Sequence, residues 1–497
     1  MFEIIRSGFQ TRGNGIEFNF PSDDSVRRRR VMKKTYDFGF ILFISCVAAL
    51  GGFLFGFDSA VINGTVNALA ATFKSDALGS GFSVASALLG CAVGAFYAGT
   101  LADKVGRRPM MLVAAVLFLV SAWGSGISNS VLQFVIYRLI GGLAIGAASV
   151  LAPAYISEVS PAAIRGRLAS LQQLAIVLGI LAAFFSNYFI AWASGGAMES
   201  WLGGYAAWRW MFWAGAIPAG LYLLLILMVP ESPRYLVACG KEDRAAKVLS
   251  RVWGHEGLDA ELALIRSTMQ RTHKPRLSDL LAKGKLLPIV WIGIGLSVFQ
   301  QFVGIAVVFY YGAVLWQAAG FSESHALLIS ILSGTVNIGS TFLAIATIDR
   351  VGRKPLLLAG SAGMFVSLGV LAVIFMLAGQ AADGSLLLGR TAAISALAAA
   401  HLYIFFFAFS WGPVVWVLLG EMFSNRIRGT ALAVAASAQW VANFVITMTF
   451  PMLLASIGLG GAYGVYTLGA LLSFFFVVKW IKETRGKTLE EMSGNQP

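Results

Sequence analysis

The chain is poor in charged residues and in the side chains that enzymes and metal sites require. Only 12% of its 497 residues are charged, whereas 58% are hydrophobic. Its four histidines are His255, His273, His325 and His401, and their spacing is not that of metal ligands. The sequence has no glycine-rich loop that would cradle a phosphate and no ATP-hydrolysis signature. These absences argue against an enzyme, a metalloprotein and an ATP-driven pump, and we expect no cofactor.

Cysteine is also scarce, since the chain has only Cys46, Cys91 and Cys239. An odd number of cysteines cannot form a complete disulfide framework. The first two lie in apolar stretches and the third in a polar one, so structural disulfides are not expected.

Long apolar stretches are what the chain has in abundance. Each is about 18 residues or longer, which is enough to cross roughly 30 Å of hydrocarbon. Because no water is present there to pair with the backbone, such stretches must be helices. Twelve spans are predicted, at 38–64, 80–101, 109–127, 131–153, 167–193, 209–229, 287–316, 325–347, 355–378, 391–419, 429–455 and 459–480. The expected fold class is therefore an all-α integral membrane protein with twelve transmembrane helices.

The basic residues indicate how these spans are oriented. All but four of the 37 lysines and arginines lie in the N-terminal tail, in alternate loops or in the C-terminal tail, the exceptions being Lys74, Arg138, Arg209 and Arg390. By the positive-inside rule both termini are cytoplasmic, and we expect a multi-pass protein of the cell membrane. The net charge of +13 then reflects contact with anionic membrane lipid rather than with nucleic acid.

A polar stretch between the sixth and seventh spans divides the chain into two halves. The expected parts are a flexible cytoplasmic tail (1–36), a six-helix bundle (37–229), a cytoplasmic helical linker (230–286), a second six-helix bundle (287–482) and a cytoplasmic tail (483–497).

Two pairs of matching loops occur in the same order in both halves. Asp103 and Arg107 follow the second span as Asp349 and Arg353 follow the eighth, and Glu158 and Arg165 follow the fourth as Glu421 and Arg428 follow the tenth. This indicates an internal duplication, and a protein built from two like halves can rock them about a central site. The loops are candidate gating networks. The alternative is that they are ordinary hairpin ends, where each exposed ion pair contributes only about 0–1 kcal/mol.

Together these motifs resemble the sugar porter family of the major facilitator superfamily. To the four loops are added Pro230-Glu231-Ser232-Pro233-Arg234, Gln300-Gln301, Trp411-Gly412-Pro413 and Glu483-Thr484-Arg485-Gly486-Lys487-Thr488. The resemblance runs from about Asp37 to Glu490 and is strongest to the bacterial pentose and hexose–proton symporters. It implies a two-bundle fold, alternating access and a sugar site at mid-membrane, and it adds Glu231 and Arg234 to the candidate gating residues.

Asp58 in the first span and Arg138 in the fourth are ionisable residues inside apolar spans. Burying either charge alone is expensive, so we expect the two to face one another. The functional interpretation is proton coupling, since a carboxylate in a dry bundle holds a proton that a nearby arginine makes it release. The resemblance implies the same, because proton-coupled sugar porters carry an aspartate at this position and passive facilitators an uncharged residue. The alternative is a static ion pair that holds the two helices together.

A neutral sugar needs amide side chains that donate and accept hydrogen bonds, and flat aromatic rings against its apolar faces. The spans offer Gln172, Gln173, Gln300, Gln301, Trp416, Gln439, Trp440 and Asn443, although single buried amides often serve only to hold helices together. The resemblance matches Gln173, Gln300, Gln301, Trp416 and Gln439 to sugar contacts, Phe55, Tyr310 and Trp440 to pocket walls, and Gly412 to a close approach of the chain.

Two positions depart from the family pattern. Ala306 stands where an asparagine is expected after Gly304-Ile305, and Ile180 replaces the second glutamine of the fifth span. Both changes remove hydrogen-bonding groups, so the sequence leaves open which pentose or hexose is bound. The expected function is proton symport of a monosaccharide by a monomer. A passive sugar uniporter and a non-transporting sugar sensor are the alternatives.

Overall fold

The computed structural model describes residues 37–161, 164–253, 258, 262–263, 265–267, 277–282, 284–381, 386–424 and 427–485. The predicted N-terminal tail and most of the predicted C-terminal tail lie outside these residues. The described part is almost entirely helical, with two short hairpins.

In the first half, polar residues just before an apolar run begin several of the helices. Asp37, Asp76 and Ser130 each accept a hydrogen bond from a backbone N–H of the first turn. The α-helices are Phe38–Ala60, Val66–Phe73, Ala77–Val105, Arg107–Ile127, Val131–Val159, Arg165–Ser194, Ala207–Ala214 and Ala216–Ile226, with 3₁₀ turns at Val61–Gly64 and Leu202–Gly204.

The linker and the second half follow. The linker contains helices Pro233–Ala238 and Glu242–Trp253, a 3₁₀ turn at Leu277–Leu280 and the hairpin Leu281–Ala282 with Lys285–Leu286. The second half has helices Pro288–Phe302, Ile305–Tyr310, Gly312–Ala318, Glu323–Val351, Arg353–Leu377, Arg390–Phe406, Gly412–Met422 and Arg428–Trp480, and the hairpin Gly379–Gln380 with Leu386–Leu387.

Within the described residues, 11 helical segments are long and apolar enough to cross a membrane. The last of them, Arg428–Trp480, has 53 residues, but Gly458 inside it has φ 69° and ψ 179°. A continuous helix of that length would span roughly 80 Å, more than twice the hydrocarbon core. The break at Gly458 therefore separates an eleventh from a twelfth span, and the predicted twelve-helix fold is confirmed.

Two spans of the second half are broken near their middle. The seventh stops at Phe302 and restarts after Gly304, whose φ of 86° favours glycine. The tenth contains a π-helical segment, Phe407–Trp411, just before Gly412 and Pro413. Proline cannot donate the backbone hydrogen bond that a regular helix needs. Irregular backbone at membrane depth is tolerated where it lines a cavity, so these two breaks indicate where a solute site lies.

Glycine allows the spans of the first bundle to pack with their backbones in contact. A Cβ at Gly179 in the fifth span would lie 2.0 Å from the carbonyl oxygen of Phe53, in the first span. A Cβ at Gly142 in the fourth span would lie 1.9 Å from that of Ala87, in the second. Small residues at helix crossings provide the van der Waals contact that holds membrane bundles together. The first bundle is thus close-packed around its buried charges.

Candidate functional site

Asp58 and Arg138 form an ion pair inside the first bundle. Arg138 Nη1 donates to Asp58 Oδ2 at 2.8 Å, and Arg138 Nη2 donates to the Asp58 backbone carbonyl at 3.2 Å. The side chain of Arg138 is 2% exposed and that of Asp58 is 11% exposed. The guanidinium also lies 5.9 Å from the centre of the Phe212 ring. Removing one partner from a buried pair leaves an uncompensated charge, so the pair can separate only if the carboxylate is neutralised or the site opens to water.

The adjacent amides Gln300 and Gln301 lie at the broken part of the tenth span. Gln300 Nε2 donates to the carbonyl oxygens of Trp411 at 2.8 Å and of Gly412 at 3.3 Å. Gln301 Nε2 donates to Gln300 Oε1 at 3.4 Å. Both residues are buried. Gln300 therefore supports the irregular backbone of the tenth span and also holds Gln301 in place.

Aromatic and amide side chains from both halves also meet, between the first, seventh and eleventh spans. Phe55 of the first span and Trp440 of the eleventh have ring centroids 5.8 Å apart. The hydroxyl group of Tyr310 in the seventh span reaches the side chains of Asn443 and Ser59. The contacts join the first, seventh and eleventh spans, so the predicted pocket walls lie between the bundles.

Other candidate residues are less directly connected. Gln439 is buried, and its Oε1 has no hydrogen-bond partner in the described part of the chain. Gln173 and Gly412 are half-buried, and Trp416 is 41% exposed. Gln172, which precedes Gln173, lies over Gly52 of the first span, and neither of its amide atoms has a partner among the described residues.

The two departures from the family pattern lie on the seventh and fifth spans, which also carry Gln301 and Gln173. Ala306 is buried in the short helix that follows Gly304, five residues after Gln301. Ile180 is partly buried and packs against the core. Both positions present hydrocarbon where an amide would offer a donor and an acceptor.

A compact network ties together the span ends of the first bundle on the side that we predict to be cytoplasmic. Arg107 Nη2 lies 3.0 Å from Glu158 Oε1 and 2.9 Å from Asp103 Oδ1. Glu231 accepts the backbone N–H of Arg107 at 3.0 Å, and Ser232 donates its hydroxyl to Glu158. The linker is thereby attached to the loop between the second and third spans.

The second bundle repeats this network. Arg353 donates to Glu421 from Nε at 3.0 Å and from Nη2 at 2.7 Å, and it lies 3.0 Å from Asp349. Glu483 accepts the backbone N–H of Arg353 at 3.0 Å, and Thr484 Oγ1 donates to Glu421 at 2.6 Å. Glu483 and Thr484 thus correspond to Glu231 and Ser232. The shared Glu–hydroxyl pattern in the two sequences could have revealed this match.

Two candidate gating residues, Arg428 and Arg234, take no part in these networks within the described residues. Arg428 does not pair with Glu421: its Nε and Nη2 donate to the backbone carbonyl of Phe423 at 3.3 Å each. That carbonyl follows the last turn of the Gly412–Met422 helix, where no backbone donor is available to it. Arg234 is exposed on the first turn of its helix. The side chain of Arg165 lies outside the described residues.

Among the described residues, hydrogen bonds join the two bundles at the ends of the spans opposite to the Arg107 and Arg353 networks. They are Asn63–Phe309 at 2.9 Å, Ser330–Asn63 at 3.1 Å, Asn67–Gln317 at 3.0 Å and Ala197–Glu323 at 3.0 Å. Phe184 and Phe309 also stack across this boundary, with centroids 6.3 Å apart. The bundles are therefore closed against each other at this end.

Two repeated bundles, broken helices at mid-membrane and a buried ion pair define a transporter of the major facilitator type. The family model described as "Sugar (and other) transporter" matches residues 44–495. The chain belongs to this sugar transporter family, as its sequence motifs indicate.

Several relatives are similar over nearly their whole length. A glucose transport protein of Synechocystis sp. is 56% identical over 462 residues, covering 93% of this chain and 98% of the relative. A D-xylose-proton symporter of Escherichia coli is 40% identical, covering 93% of this chain and 96% of the relative. The inward open conformation of the xylose transporter XylE from E. coli superposes with a TM-score of 0.78 at 39% identity, covering 92% of this chain and 100% of that one.

Proposed function

We propose that this protein carries a monosaccharide across the cell membrane together with a proton. The observation that carries the proposal is the buried ion pair between Asp58 and Arg138, 2.8 Å apart in the first bundle. A fixed pair alone would be a costly way to hold two helices. The names of the relatives, which include proton symporters for D-xylose and arabinose, support the same function.

In the proposed cycle Asp58 takes up a proton from outside and separates from Arg138. The neutral carboxyl group no longer opposes a change in bundle orientation, and sugar enters the site between the bundles. Closure of the outer end, through contacts such as Asn63 with Phe309, then opens the inner end. Because a proton that moves down 100 mV releases roughly 2.3 kcal/mol, coupling allows a neutral sugar to be concentrated.

The proposed sugar site uses Gln173, Gln300, Gln301, Gln439 and Asn443 as hydrogen-bonding groups. Phe55, Tyr310, Trp416 and Trp440 form its walls, and Gly412 lets the backbone approach the ring. Ala306 and Ile180 lower the number of amides at the site, which favours a sugar held by fewer hydrogen bonds or one with a bulkier apolar edge. A hexose whose exocyclic CH₂ lies near these side chains meets that description.

Uptake of labelled sugars into proteoliposomes tests the proposal. We expect accumulation of at least one pentose or hexose above its equilibrium level when the outside is acidic, and collapse of that accumulation on adding an uncoupler. Uptake that stops at equilibrium with or without the uncoupler would favour the uniporter. Tight sugar binding without any transport would favour the sensor.

We further propose that both termini are cytoplasmic and that the monomer is functional. Of the five predicted parts, two form the bundles, one forms the linker between them and two form the terminal tails. Single cysteines placed at Ser7 and at Ser493 in a cysteine-free background test the topology. Both should be unreactive to an impermeant maleimide in intact cells and reactive after lysis.

A further inference from the structure

Ser121, in the third span, has a hydroxyl group that nothing in the described part of the chain engages. The residue is 0% exposed, and its Oγ has no hydrogen-bond partner among the described residues. A serine in a helix commonly donates to the carbonyl group one turn before it, as Ser128 does to Gly124. A buried hydroxyl group left unpaired is destabilising, so its presence needs an explanation.

The ion pair of the first bundle lies beside this hydroxyl group, with Gly141 between them. A methyl group at position 141 would lie 2.3 Å from Ser121 Oγ and 3.3 Å from Asp58 Oδ2. Both oxygen atoms therefore border the same small region above Gly141, which any larger residue would fill. Arg138 Nε is also buried and has no partner in the described chain. Two polar atoms that have no partner among the described residues thus accompany the Asp58–Arg138 pair.

We propose that Ser121 is a positioning residue for proton transfer, which accepts the hydrogen bond of Asp58 when that residue is protonated. The proposal rests on the proposed proton symport. Deprotonated Asp58 accepts a hydrogen bond from Arg138. Protonated Asp58 gains an O–H donor, and Arg138 has no acceptor to offer it. Ser121 Oγ has free lone pairs, so it accepts this hydrogen bond directly or through one water molecule and stabilises the proton-loaded form.

Other titratable groups around Asp58 come from four further spans. Besides Arg138, the thiol of Cys91 in the second span lies within the electrostatic influence of both members of the pair. Tyr310 of the seventh span reaches Ser59, next to Asp58. Tyr222 of the sixth lies against Gly51, which comes about two turns before Asp58 in the first span. Only Arg138 among these is charged near neutral pH, so the others do not compete with Asp58 for the proton.

The pH dependence of uptake by the full-length protein in proteoliposomes tests this proposal. We expect Ser121→Ala to move the pH of half-maximal proton-driven uptake about 0.5 to 1 unit toward acid, because the protonated carboxyl group loses its acceptor. Ser121→Thr keeps the hydroxyl group and should restore the wild-type midpoint. Sugar counterflow at acidic pH should stay within about twofold of wild type in both variants, since Asp58 is then protonated throughout.

Ser125→Ala is the matched control. Ser125 is also 0% exposed with an unpaired Oγ among the described residues, and it lies one turn away on the same helix. An unmoved midpoint in Ser121→Ala, an equal shift in Ser125→Ala, or an equal loss of uptake at every pH would each overturn the proposal. If the wild-type protein itself shows no proton coupling, the proposed symport fails as well. If the wild-type protein couples sugar uptake to protons and Ser121→Ala leaves the pH midpoint of uptake unchanged, only the proposed role of Ser121 fails.

Discussion

The two bundles are alike at the ends that we predict to be cytoplasmic and different in their interiors. Each end has an arginine paired with a glutamate, Arg107 with Glu158 in the first bundle and Arg353 with Glu421 in the second. In both, the glutamate also accepts a hydrogen bond from a hydroxyl group. In its interior the first bundle has an ion pair on unbroken helices. The second has neutral amides on two broken helices. The duplication thus accounts for the shared architecture of the two halves. We infer that the halves then diverged in function, with proton binding in the first and most of the sugar contacts in the second.

The largest expected effect comes from removing one charge of the ion pair. Arg138→Met leaves Asp58 buried without its counter-charge, and we expect a loss of about 3–5 kcal/mol in the free energy of unfolding. The double variant Asp58→Asn/Arg138→Met should recover most of this loss, as judged by thermal unfolding in detergent, but should not accumulate sugar. If the single and double variants unfold at the same temperature, the pair is not a coupled unit.

A smaller effect is expected at the amides of the second bundle. Gln300→Leu removes the donor to the carbonyl group of Trp411 and should lower both thermal stability and sugar affinity, each by about 0.5–1.5 kcal/mol. Gln439→Leu should raise the KM for sugar by up to about tenfold without lowering stability, because Gln439 Oε1 makes no hydrogen bond within the described residues. Loss of stability without any change in KM, in both variants, would show that these amides only hold helices together.

The repeated cytoplasmic networks should respond alike. Glu158→Gln and Glu421→Gln each weaken one charge-assisted contact to arginine, so we expect similar losses of about 1–2 kcal/mol in stability. Thermal unfolding in detergent measures both. A loss confined to one half would break the symmetry that the structure shows, since both glutamates also bind a hydroxyl group.

The smallest effect concerns Glu483. Burial alone would raise the pKa of this carboxyl group, but hydrogen bonds from the backbone N–H groups of Arg353, Arg485, Lys354 and Thr484 hold its pKa below the ordinary value. The stabilisation is therefore present above the ordinary pKa of a glutamate and is lost as the pH falls through the lowered value.

Unfolding temperatures of wild type and Glu483→Gln should accordingly differ by a few degrees at neutral pH and converge in acid. If the difference in unfolding temperature stays the same or grows as the pH is lowered, the stabilising role of the Glu483 carboxylate is contradicted.

Much of the fold could be predicted because lipid leaves few choices. Uninterrupted apolar runs must be helices, and the basic residues indicate the direction of each. Even the boundary between the eleventh and twelfth spans was placed at 455–459, where Gly458 breaks the helix. The break in the seventh span was less visible, because Gly304 lies in a run whose hydropathy does not change.

The charged residues of the candidate site could be predicted from the sequence, but most of its hydrogen-bond partners could not. Asp58 and Arg138 stand out because charge is rare in the spans. The sequence could not show that Arg428 binds the backbone carbonyl of Phe423 and not Glu421. Which acceptor an arginine reaches depends on how the preceding helix ends. Ser121 has no sequence signal, because many serines lie in apolar spans and only the packing against Gly141 sets it apart.

The sharpest test is to compare accumulation with exchange in Asp58→Asn. The variant cannot bind and release a proton, but it keeps the shape of the site, so we predict that proton-driven accumulation is abolished while sugar counterflow remains measurable. Full accumulation by Asp58→Asn, with sugar still driving proton entry, would contradict the assignment of Asp58 as the proton carrier.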